Sequence, residues 1–455
     1  MKSDVSIRAV DYSFEKFSYR APMKFGGVAV DRVTLLNVTV TVRTRDGREC
    51  EGAGSMPLGN IWAFPSRVMT YEQTLAAMMQ LSARVARILS RYPECAHPVD
   101  INHELEPSYL EAAERLSQET QLAEPLPKLA TLVVASAFDA AVHDGFAKAS
   151  GINCYHGYSR EYMKRDASAY LDAGFAGQHL DQCLLPAPRR SMPLYHLVGA
   201  LDPITSADVS RPVGDGLPES LGDWIRTDGL THIKIKLNGD DLPWDIERVV
   251  AVDSEARRIR SEDWNYSLDF NERCPHVEYL LEFLARIEER SPELIRRIQY
   301  IEQPTSRDLR AKPENDMHKA ARIKPVVIDE SLVDYDSLLA ARDLGYNGVA
   351  LKACKGQGNA LLMALAAMRF GMFLCVQDLT CPGASLIHSA GLAARVRGVA
   401  GIEANSREYV PAANQDWEAR FPGIFTIRGG CMATGQLTGP GLGAVEARVP
   451  AGGPR

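Results

Sequence analysis

Five short stretches of the chain decide its fold: HIKIKLN at 232–238, YSLDFN at 266–271, IQYIEQP at 298–304, PVVIDES at 325–331 and GVALKAC at 348–354. Each is an apolar run of strand length that ends in charged or polar residues, and helical periodicity lies between one and the next. Three further runs complete a set of eight: LYHLVGAL at 194–201, MFLCVQD at 372–378 and VAGIEAN at 399–405. Eight strands alternating with helices predict a parallel α/β fold, most simply a closed (β/α)8 barrel.

The rival fold is a doubly wound open sheet. That fold needs a glycine-rich phosphate turn after its first strand, and KGQG at 355–358, after the sixth strand, is a weak substitute. The barrel is therefore favoured. Its helices are predicted in five segments: Trp244–Ser261, Val277–Arg290, Tyr335–Gly345, Asn359–Phe370 and Leu386–Arg397.

The first third of the chain has a different texture. Residues 5–14 and 33–44 alternate apolar and polar side chains, and Asp46-Gly47 marks a turn, so an antiparallel meander is expected. Helices are predicted over 71–89 and 126–149, which gives a small α+β domain. Segments 94–121 and 151–190 look irregular and are interpreted as insertions or loops.

Composition excludes several classes of protein. The chain has 455 residues, 45% of them hydrophobic, with 51 basic and 58 acidic side chains for a net charge of −7. No basic block predicts a nucleic-acid partner, and the apolar runs are too short to span a membrane. The N-terminus lacks an export-type apolar segment and the nine cysteines include no CxxC pair, so a reduced, cytoplasmic protein is expected.

The predicted strands end in a coherent set of side chains. Asp269, Glu302 and Asp329 close three successive strands at about one βα unit apart. Carboxylates that converge repel one another unless a cation neutralises them, and oxygen ligands without Cys or His favour Mg2+ over zinc. These three residues are our candidate metal ligands. The simpler interpretation is that each carboxylate pairs with a neighbouring Lys or Arg.

Lysines end the strands on either side of this acidic set. Lys236 closes the second strand and Lys352 the sixth, which lie on opposite sides of an eight-stranded ring. Such lysines place an amine on each face of a bound substrate. Lys234 points to the same side of its strand as Lys236, and a like charge nearby lowers a lysine pKa, so we expect Lys234 to assist Lys236 and to contact substrate.

The motifs KIK, DFN, IEQP, IDES and LKACK, in this order and spacing, resemble the enolase superfamily, in particular its mandelate racemase/muconate lactonizing enzyme family and the muconate lactonizing branch. The helix TLVVASAFDAAVHDGFAKASG at 131–151 and the closing GPGLGAVE at 439–446 are similar to family elements as well. The resemblance implies a modified (β/α)8 barrel at 193–409. It also implies an N-terminal α+β capping domain at 1–150, to which residues 410–455 return, and a linker or insertion at 151–192.

The resemblance also implies roles. Asp269, Glu302 and Asp329 match the Mg2+ ligands, Lys236 the base, and Lys352 the opposing acid or base. The shared chemistry is removal of the proton α to a carboxylate to give a metal-stabilised enediolate, for which the superfamily uses a Lys or His base with Mg2+.

Substrate choice in this family lies with two capping loops, matched here by residues 20–27 and 55–66. These loops offer Phe25, Asn60 and Trp62 as substrate contacts, unless the aromatic residues form core of the small domain. Four barrel residues are further candidates for substrate binding: Asn271, Glu330, Asp378 and Glu403. The lid has no Lys/Arg cluster, which argues against a phosphorylated substrate.

The leading hypothesis is a racemase or epimerase acting on a small carboxylate; an acid-sugar dehydratase or a cycloisomerase is the close alternative. Lys355-Gly356 and Glu403-Ala404-Asn405 depart from the dipeptide epimerase pattern, which disfavours a dipeptide. A Schiff-base aldolase leaves the three carboxylates unexplained, and a non-catalytic barrel would not need the full charged set. A homo-oligomer is possible, since family members usually assemble.

Overall fold

The computed structural model describes residues 1–25, 28–261 and 263–444, apart from the side chain of Phe25. The predicted substrate contact of Phe25, the loop residues Gly26 and Gly27, and the end of the closing GPGLGAVE motif therefore lie outside the described residues. What is described forms an antiparallel sheet with helices packed on it, here called the cap, and a parallel barrel.

The cap sheet has three strands in the order β1-β2-β3: β1 (Val5–Phe25), β2 (Val28–Thr44) and β3 (Glu49–Pro57). Along β2, Val38, Val40 and Val42 are buried while the threonines between them are half-exposed, as the alternating sequence predicts. The expected loop at residues 20–27 is instead mostly strand, because β1 continues to Phe25 and pairs with the start of β2 as a long two-stranded ribbon.

Four helices follow the cap sheet in the chain: α1 (Asn60–Ala63), α2 (Tyr71–Ser90), α3 (Pro98–Glu119) and α4 (Lys128–Ser150). The prediction of a loop over 94–121 was wrong, because α3 occupies most of it. His97 caps its first turn by accepting the Val99 amide, and Pro98 stands where no amide donor is needed. Pro107 lies inside the helix and the outer face is polar, so the helical spacing of the buried residues is hard to recognise in the sequence.

Helix α4 runs between the cap sheet and the barrel. Of the described helices, it is long and apolar enough to cross a membrane by length and composition, but its apolar window is entirely buried inside the protein. It is therefore a core helix. Strand β3 approaches it closely, since a Cβ at Gly52 or Gly54 would lie 2.0 Å from the carbonyl oxygen of Ala141 or Ala137.

The barrel has the predicted eight parallel strands, and hydrogen bonds between the first and the last close the ring. They are β4 (Met192–Val198), β5 (His232–Lys236), β6 (Asn265–Asp269), β7 (Ile298–Glu302), β8 (Val326–Ile328), β9 (Gly348–Leu351), β10 (Phe373–Gln377) and β11 (Val399–Glu403). Inward side chains of the strands, among them Tyr195, Tyr300 and Cys375, fill the barrel centre.

The five predicted barrel helices are confirmed with small shifts in their ends: α6 (Leu242–Ile259), α7 (Val277–Arg290), α10 (Tyr335–Asp343), α11 (Gln357–Arg369) and α12 (Ala384–Arg395). Sequence reasoning missed three shorter ones, which are α5 (Leu221–Asp228), α8 (Pro292–Arg297) and α9 (His318–Ile323). After the last barrel strand come three helices of four residues each: α13 (Ser406–Tyr409), α14 (Gln415–Glu418) and α15 (Pro422–Phe425).

The segments outside these units are irregular. Within 151–190 the regular structure is four short 3-10 turns: Cys154–His156, Ala167–Ala169, Ala173–Phe175 and Leu180–Cys183. Near the C-terminus, β12 (Cys431–Met432) pairs antiparallel with β4. Further on, the Leu442 amide donates to Asp144 of α4 at 2.9 Å, so the closing segment contacts both the barrel and the cap.

Candidate active site

The barrel register sets three candidate residues side by side. Lys236 pairs with Asp269, and Asp269 with Glu302, across three adjacent strands. Because parallel strands present their carboxyl ends at one rim, these side chains lie at the same height. All three are buried. Asp329 lies one residue past β8, and Lys352 one residue past β9, diametrically across the ring from β5.

Lys234 is the centre of the charge network. Its Nζ lies 3.0 Å from Asp269, 2.9 Å from Glu302 and 2.7 Å from Glu403. Burial opposes its charge, but the three carboxylates outweigh burial and hold the Lys234 pKa well above its usual range. Carboxylates therefore balance the charge of Lys234 within the site. Lys236 itself bonds to Asp269.

Two lysines hold Asp329 on the other side of the ring. Lys352 lies 2.9 Å from one of its carboxylate oxygens, and Lys355 lies 3.2 Å from the other. Burial opposes the charge of Lys352, yet Asp329 raises its pKa above the usual value. For Lys355 burial dominates and lowers the pKa. Sequence reasoning missed Lys355 as a site residue, although it ends the quoted LKACK motif.

The acids titrate differently because their partners differ. Burial raises the pKa of Glu302 to about 8, and the charge of Asp269 adds to this effect. Burial acts on Asp269 too, but Lys234 and Lys236 outweigh it and hold its pKa below the usual range. Burial also raises the pKa of Glu330 well above its ordinary value.

The residues suit a hard divalent cation by donor type but do not form a finished cage. Among the described residues, no group of three or more His, Cys, Asp or Glu side chains converges closely enough to hold a metal ion. Lys234 Nζ lies within 3.0 Å of both Asp269 and Glu302. Its ammonium group therefore occupies a place between carboxylate oxygens that suits a metal cation. Buried acceptors without a hydrogen-bond partner lie nearby, Glu330 Oε2 and Gln377 Oε1. The donor set fits Mg2+ provided that Lys234 moves aside.

The backbone is strained around the mouth. Asn271, Gln303 and Thr380 have positive φ values of 46°, 30° and 51°, and each follows a barrel strand. Non-glycine residues in this region cost about 1–3 kcal/mol each and cluster at functional sites. Two polar atoms here, Asn271 Nδ2 and Asn405 Oδ1, are buried without a partner and face the cavity described next.

A cavity of about 70 Å3 lies between the strand ends and the cap. Asn271, Asp378 and Glu403 line it, together with Lys234, Lys236, Glu302, Asp329 and Lys352. Asp378 accepts the backbone amides of Thr380 and Cys381, and burial raises its pKa well above the ordinary value. A cavity needs roughly 10–15 Å3 to hold one water molecule, so this cavity has room for only a few waters.

The cap closes the cavity through α1. Trp62 is buried, its Nε1 donates to Glu330 at 3.0 Å, and the Lys352 ammonium lies 4.6 Å from its ring centre. Asn60 also lines the cavity, but its amide donates to Tyr71 and Thr74 of α2. Trp62 therefore contacts the barrel site directly, whereas the donors of Asn60 are used within the cap.

Arg20, the first residue of the predicted capping loop 20–27, is not among the described residues that line this cavity. Its guanidinium pairs with Asp215 in the loop after β4, at 2.6 and 2.8 Å. This ion pair therefore connects the β1–β2 ribbon to the barrel.

Comparisons with known proteins agree with this architecture. A family model described as enolase C-terminal domain-like matches residues 217–446. Because this is just over half of the chain, the protein belongs to that family of enzymes, the mandelate racemase/muconate lactonizing enzyme group of the enolase superfamily. No curated protein sequence matches the chain significantly.

Solved structures share the fold at low sequence identity. The L-Ala-D/L-Glu epimerase from Bacillus subtilis is 16% identical, with 96% of this chain and 98% of that chain covered and a TM-score of 0.62. Muconate lactonizing enzyme from Pseudomonas fluorescens, complexed with muconolactone, is 17% identical, with 97% and 96% covered and a TM-score of 0.62. An enolase from Bradyrhizobium complexed with magnesium and mandelic acid is 15% identical, with 97% and 96% covered and a TM-score of 0.60.

Proposed function

We propose that this enzyme removes the proton α to the carboxylate of a small substrate and returns a proton to the same carbon, giving racemisation or epimerisation. The observation that carries this proposal is the placement of Lys236 and Lys352 at opposite sides of one cavity, after β5 and β9. A two-base racemase needs one lysine on each face of the substrate carbon.

Lys236 is the proposed base on one face. The Lys236 amine takes the α-proton of the substrate. Lys352, on the other face, delivers a proton to the same carbon. Reversing the two roles returns the opposite stereoisomer. Lys234 bridges Asp269, Glu302 and Glu403, and we assign it the contact with the substrate carboxylate once these acids have another partner.

Asp269, Glu302 and Asp329 are the proposed Mg2+ ligands. When bound, Mg2+ supplies positive charge beside the carboxylate on which negative charge develops, which makes the α-proton more acidic. Related structures contain magnesium, among them the Bradyrhizobium enolase. Lys234 and Lys236 hold two of the three acids before the metal binds. Trp62 excludes water from the closed site, which strengthens every charge interaction there.

A cycloisomerase or an acid-sugar dehydratase is the alternative, and one observation favours chemistry with a single base. Lys352 is held between Asp329 and the face of Trp62, which stabilises its ammonium form. In that case Lys352 acts only as a cation and Lys236 alone moves the proton.

Cellular context is part of the same proposal. All nine cysteines, six of them buried, are free thiols, as expected of an enzyme of the reducing cytoplasm. A homo-oligomer remains a prediction from the family resemblance.

Deuterium exchange tests the function. Both enantiomers of candidate carboxylates are incubated with the enzyme and Mg2+ in D2O, and loss of the α-proton signal is followed by NMR. A two-base enzyme exchanges both enantiomers, Lys236→Met abolishes exchange of one, and Lys352→Met abolishes exchange of the other. Met retains the apolar stem of Lys, and Lys312→Met on the surface is the matched control.

The two hypotheses differ in the outcome for Lys352. Loss of exchange for both enantiomers in Lys236→Met, together with a mere slowing in Lys352→Met, would favour the one-base alternative. Exchange that persists in EDTA would contradict the role of Mg2+. Absence of exchange with every carboxylate, in wild-type enzyme that binds Mg2+, would sink the proposed function.

A further inference from the structure

We propose, resting on the function above, that the substrate is a monocarboxylate whose remaining part is uncharged and apolar, and that Val30 on the β1–β2 ribbon is one residue that selects it. The charged barrel rim receives the carboxylate, and the cap receives the rest of the molecule.

The two sides of the cavity differ in chemistry. Its barrel side consists of the lysines and acids at the strand ends. Its cap side is largely apolar, with the following side chains facing the cavity: Met23, Val30, Val33, Ile61 and Leu75. Since the carboxylate is recognised at the barrel rim, the distal part of the substrate meets this apolar side. Burying apolar surface against it contributes roughly 25 cal/mol per Å2.

The cap offers no fitting partner for a second negative charge. Among the described residues that line the cavity, Arg32 is the one cationic side chain from the cap. It is half exposed, pairs with Asp31 at 2.9 Å and Glu72 at 2.5 Å, and stacks on Tyr71. Its charge is therefore balanced at the rim, and a buried distal carboxylate or phosphate would lack a counter-ion.

A positively charged substrate is disfavoured for a related reason. The two extra acids of the cavity already have partners, because Glu403 bonds to Lys234 at 2.7 Å and Asp378 accepts two backbone amides, those of Thr380 and Cys381. Both acids lie at strand ends on the barrel side, and none of the described cap residues that line the cavity is acidic, so an ammonium on the distal part of the substrate would lack a counter-ion there.

Polyhydroxylated acids fit poorly as well. Such a substrate needs a hydrogen-bond partner for each hydroxyl, since an unpaired buried polar group costs free energy. Asn60 is committed to α2, as described above, and Tyr19 faces Thr380. The unpartnered atoms Asn271 Nδ2 and Asn405 Oδ1 both belong to the barrel side, so the hydroxyls of Thr34 and Tyr71 are the remaining partners on the cap side for a sugar chain, among the described lining residues.

The test compares ligands that differ only in the distal group: N-acetylleucine, N-acetylglutamate and N-acetyllysine, with gluconate as the sugar acid. Binding is measured by titration calorimetry with Mg2+ up to the millimolar range, and α-proton exchange is measured in parallel. We expect N-acetylleucine to exceed the glutamate, lysine and sugar compounds by at least about a hundredfold in affinity or in kcat/KM.

Val30→Arg adds a cation on the cap side of the cavity and tests whether Val30 itself selects the substrate. We expect it to raise affinity for N-acetylglutamate at least about tenfold and to weaken N-acetylleucine. Ala29→Arg is the matched control, because neighbouring residues of a strand point to opposite faces and Ala29 is exposed. It should leave the preference unchanged.

The outcomes separate the inference from the function on which it rests. Selective binding of N-acetylleucine without exchange would support the apolar site and contradict the proposed chemistry. Exchange that is faster with the charged or sugar compounds would overturn the inference and leave the chemistry standing. Equal effects of Val30→Arg and Ala29→Arg, or no binding of N-acetylleucine, would also overturn it.

Discussion

Asp139 of the cap helix α4 accepts the backbone amide of Gln357 at the start of the barrel helix α11, with 2.6 Å between Oδ2 and N. The two residues are 218 positions apart, and both are buried. Gln357 directly follows Lys355-Gly356, so a side chain of the cap caps the helix that begins at the candidate lysines. His143, one turn further along α4, lies 3.3 Å from the other oxygen of Asp139.

Replacing Asp139 tests whether the cap positions the lysine turn. Loss of a capping side chain costs about 0.5–2 kcal/mol, so Asp139→Ala should lower the free energy of unfolding by about that amount. It should also increase amide hydrogen exchange in residues 352–358 and slow α-proton exchange. Asp139→Asn retains an oxygen acceptor and should restore most of both properties.

Asp144 supplies the control for this experiment, since it lies on the same helix and accepts amides of Ala53 and Leu442. Asp144→Ala should destabilise the protein without loosening residues 352–358. Equal amide exchange of that segment in both variants would show that Asp139 acts only on global stability.

Magnesium affinity should depend on pH through Glu302. Burial and the nearby charge of Asp269 raise the Glu302 pKa to about 8 in the metal-free site, so below that pH a proton must leave before the carboxylate binds metal. Affinity should therefore rise nearly tenfold per pH unit below about pH 8 and level off above it. Titration calorimetry in buffers of different ionisation enthalpy measures both the affinity and the released proton.

Glu302→Gln serves as the reference for that measurement. The amide does not titrate, so the variant should bind Mg2+ more weakly and with a flatter pH profile. A pH-independent affinity in the wild-type protein would contradict the raised pKa of Glu302, and an unchanged affinity in Glu302→Gln would contradict its role as a ligand.

Trp62 should affect both closure and catalysis. Its Nε1 bonds to Glu330, and its ring covers Lys352. Trp62→Phe keeps a ring and loses the hydrogen bond, so we expect a loss of about 1 kcal/mol in stability and a modest fall in exchange rate. Trp62→Leu loses both contacts and should be slower still.

Phe64→Leu provides the comparison for Trp62, because Phe64 is equally buried on the same segment and is not among the described residues that line the cavity. Thermal melts and exchange rates of the three variants separate core packing from the effect on the site. If Phe64→Leu slows exchange as much as Trp62→Leu, the lysine contacts of Trp62 do not matter.

The ion pair between Arg20 and Asp215 should hold the ribbon against the barrel. The pair is bidentate, but the Asp215 side chain is 31% exposed, so its coupling energy should be only about 0.5–1 kcal/mol. A double-mutant cycle with Arg20→Ala and Asp215→Ala measures it. Each variant should increase amide exchange in β1 and β2 near the ribbon tip, with a higher KM and nearly the same Tm.

High salt should weaken the same contact in the wild-type protein, because partly exposed ion pairs are screened. Ribbon exchange that is insensitive to both salt and Asp215→Ala would show that apolar contacts alone hold the cap closed.

Much of the architecture followed from local patterns. The alternation of apolar strands and helices predicts the barrel, and the polar residues at strand ends predict which side chains meet, because all parallel strands end at one rim. The structure accordingly places Lys236, Asp269, Glu302, Asp329 and Lys352 around one cavity. Helix α3 escaped prediction since Pro107 and its polar face obscure the helical period.

Tertiary structure alone decided how these side chains pair. Lys234 bridges three acids on three different strands, Lys355 turns back to Asp329, and Arg20 reaches Asp215 across 195 positions. The sequence determined the fold and the residue types at the rim, since both depend on periodicities of two and 3.6 residues. The partners of each charge depend on distances between side chains far apart in the chain, which folding sets and no local pattern contains.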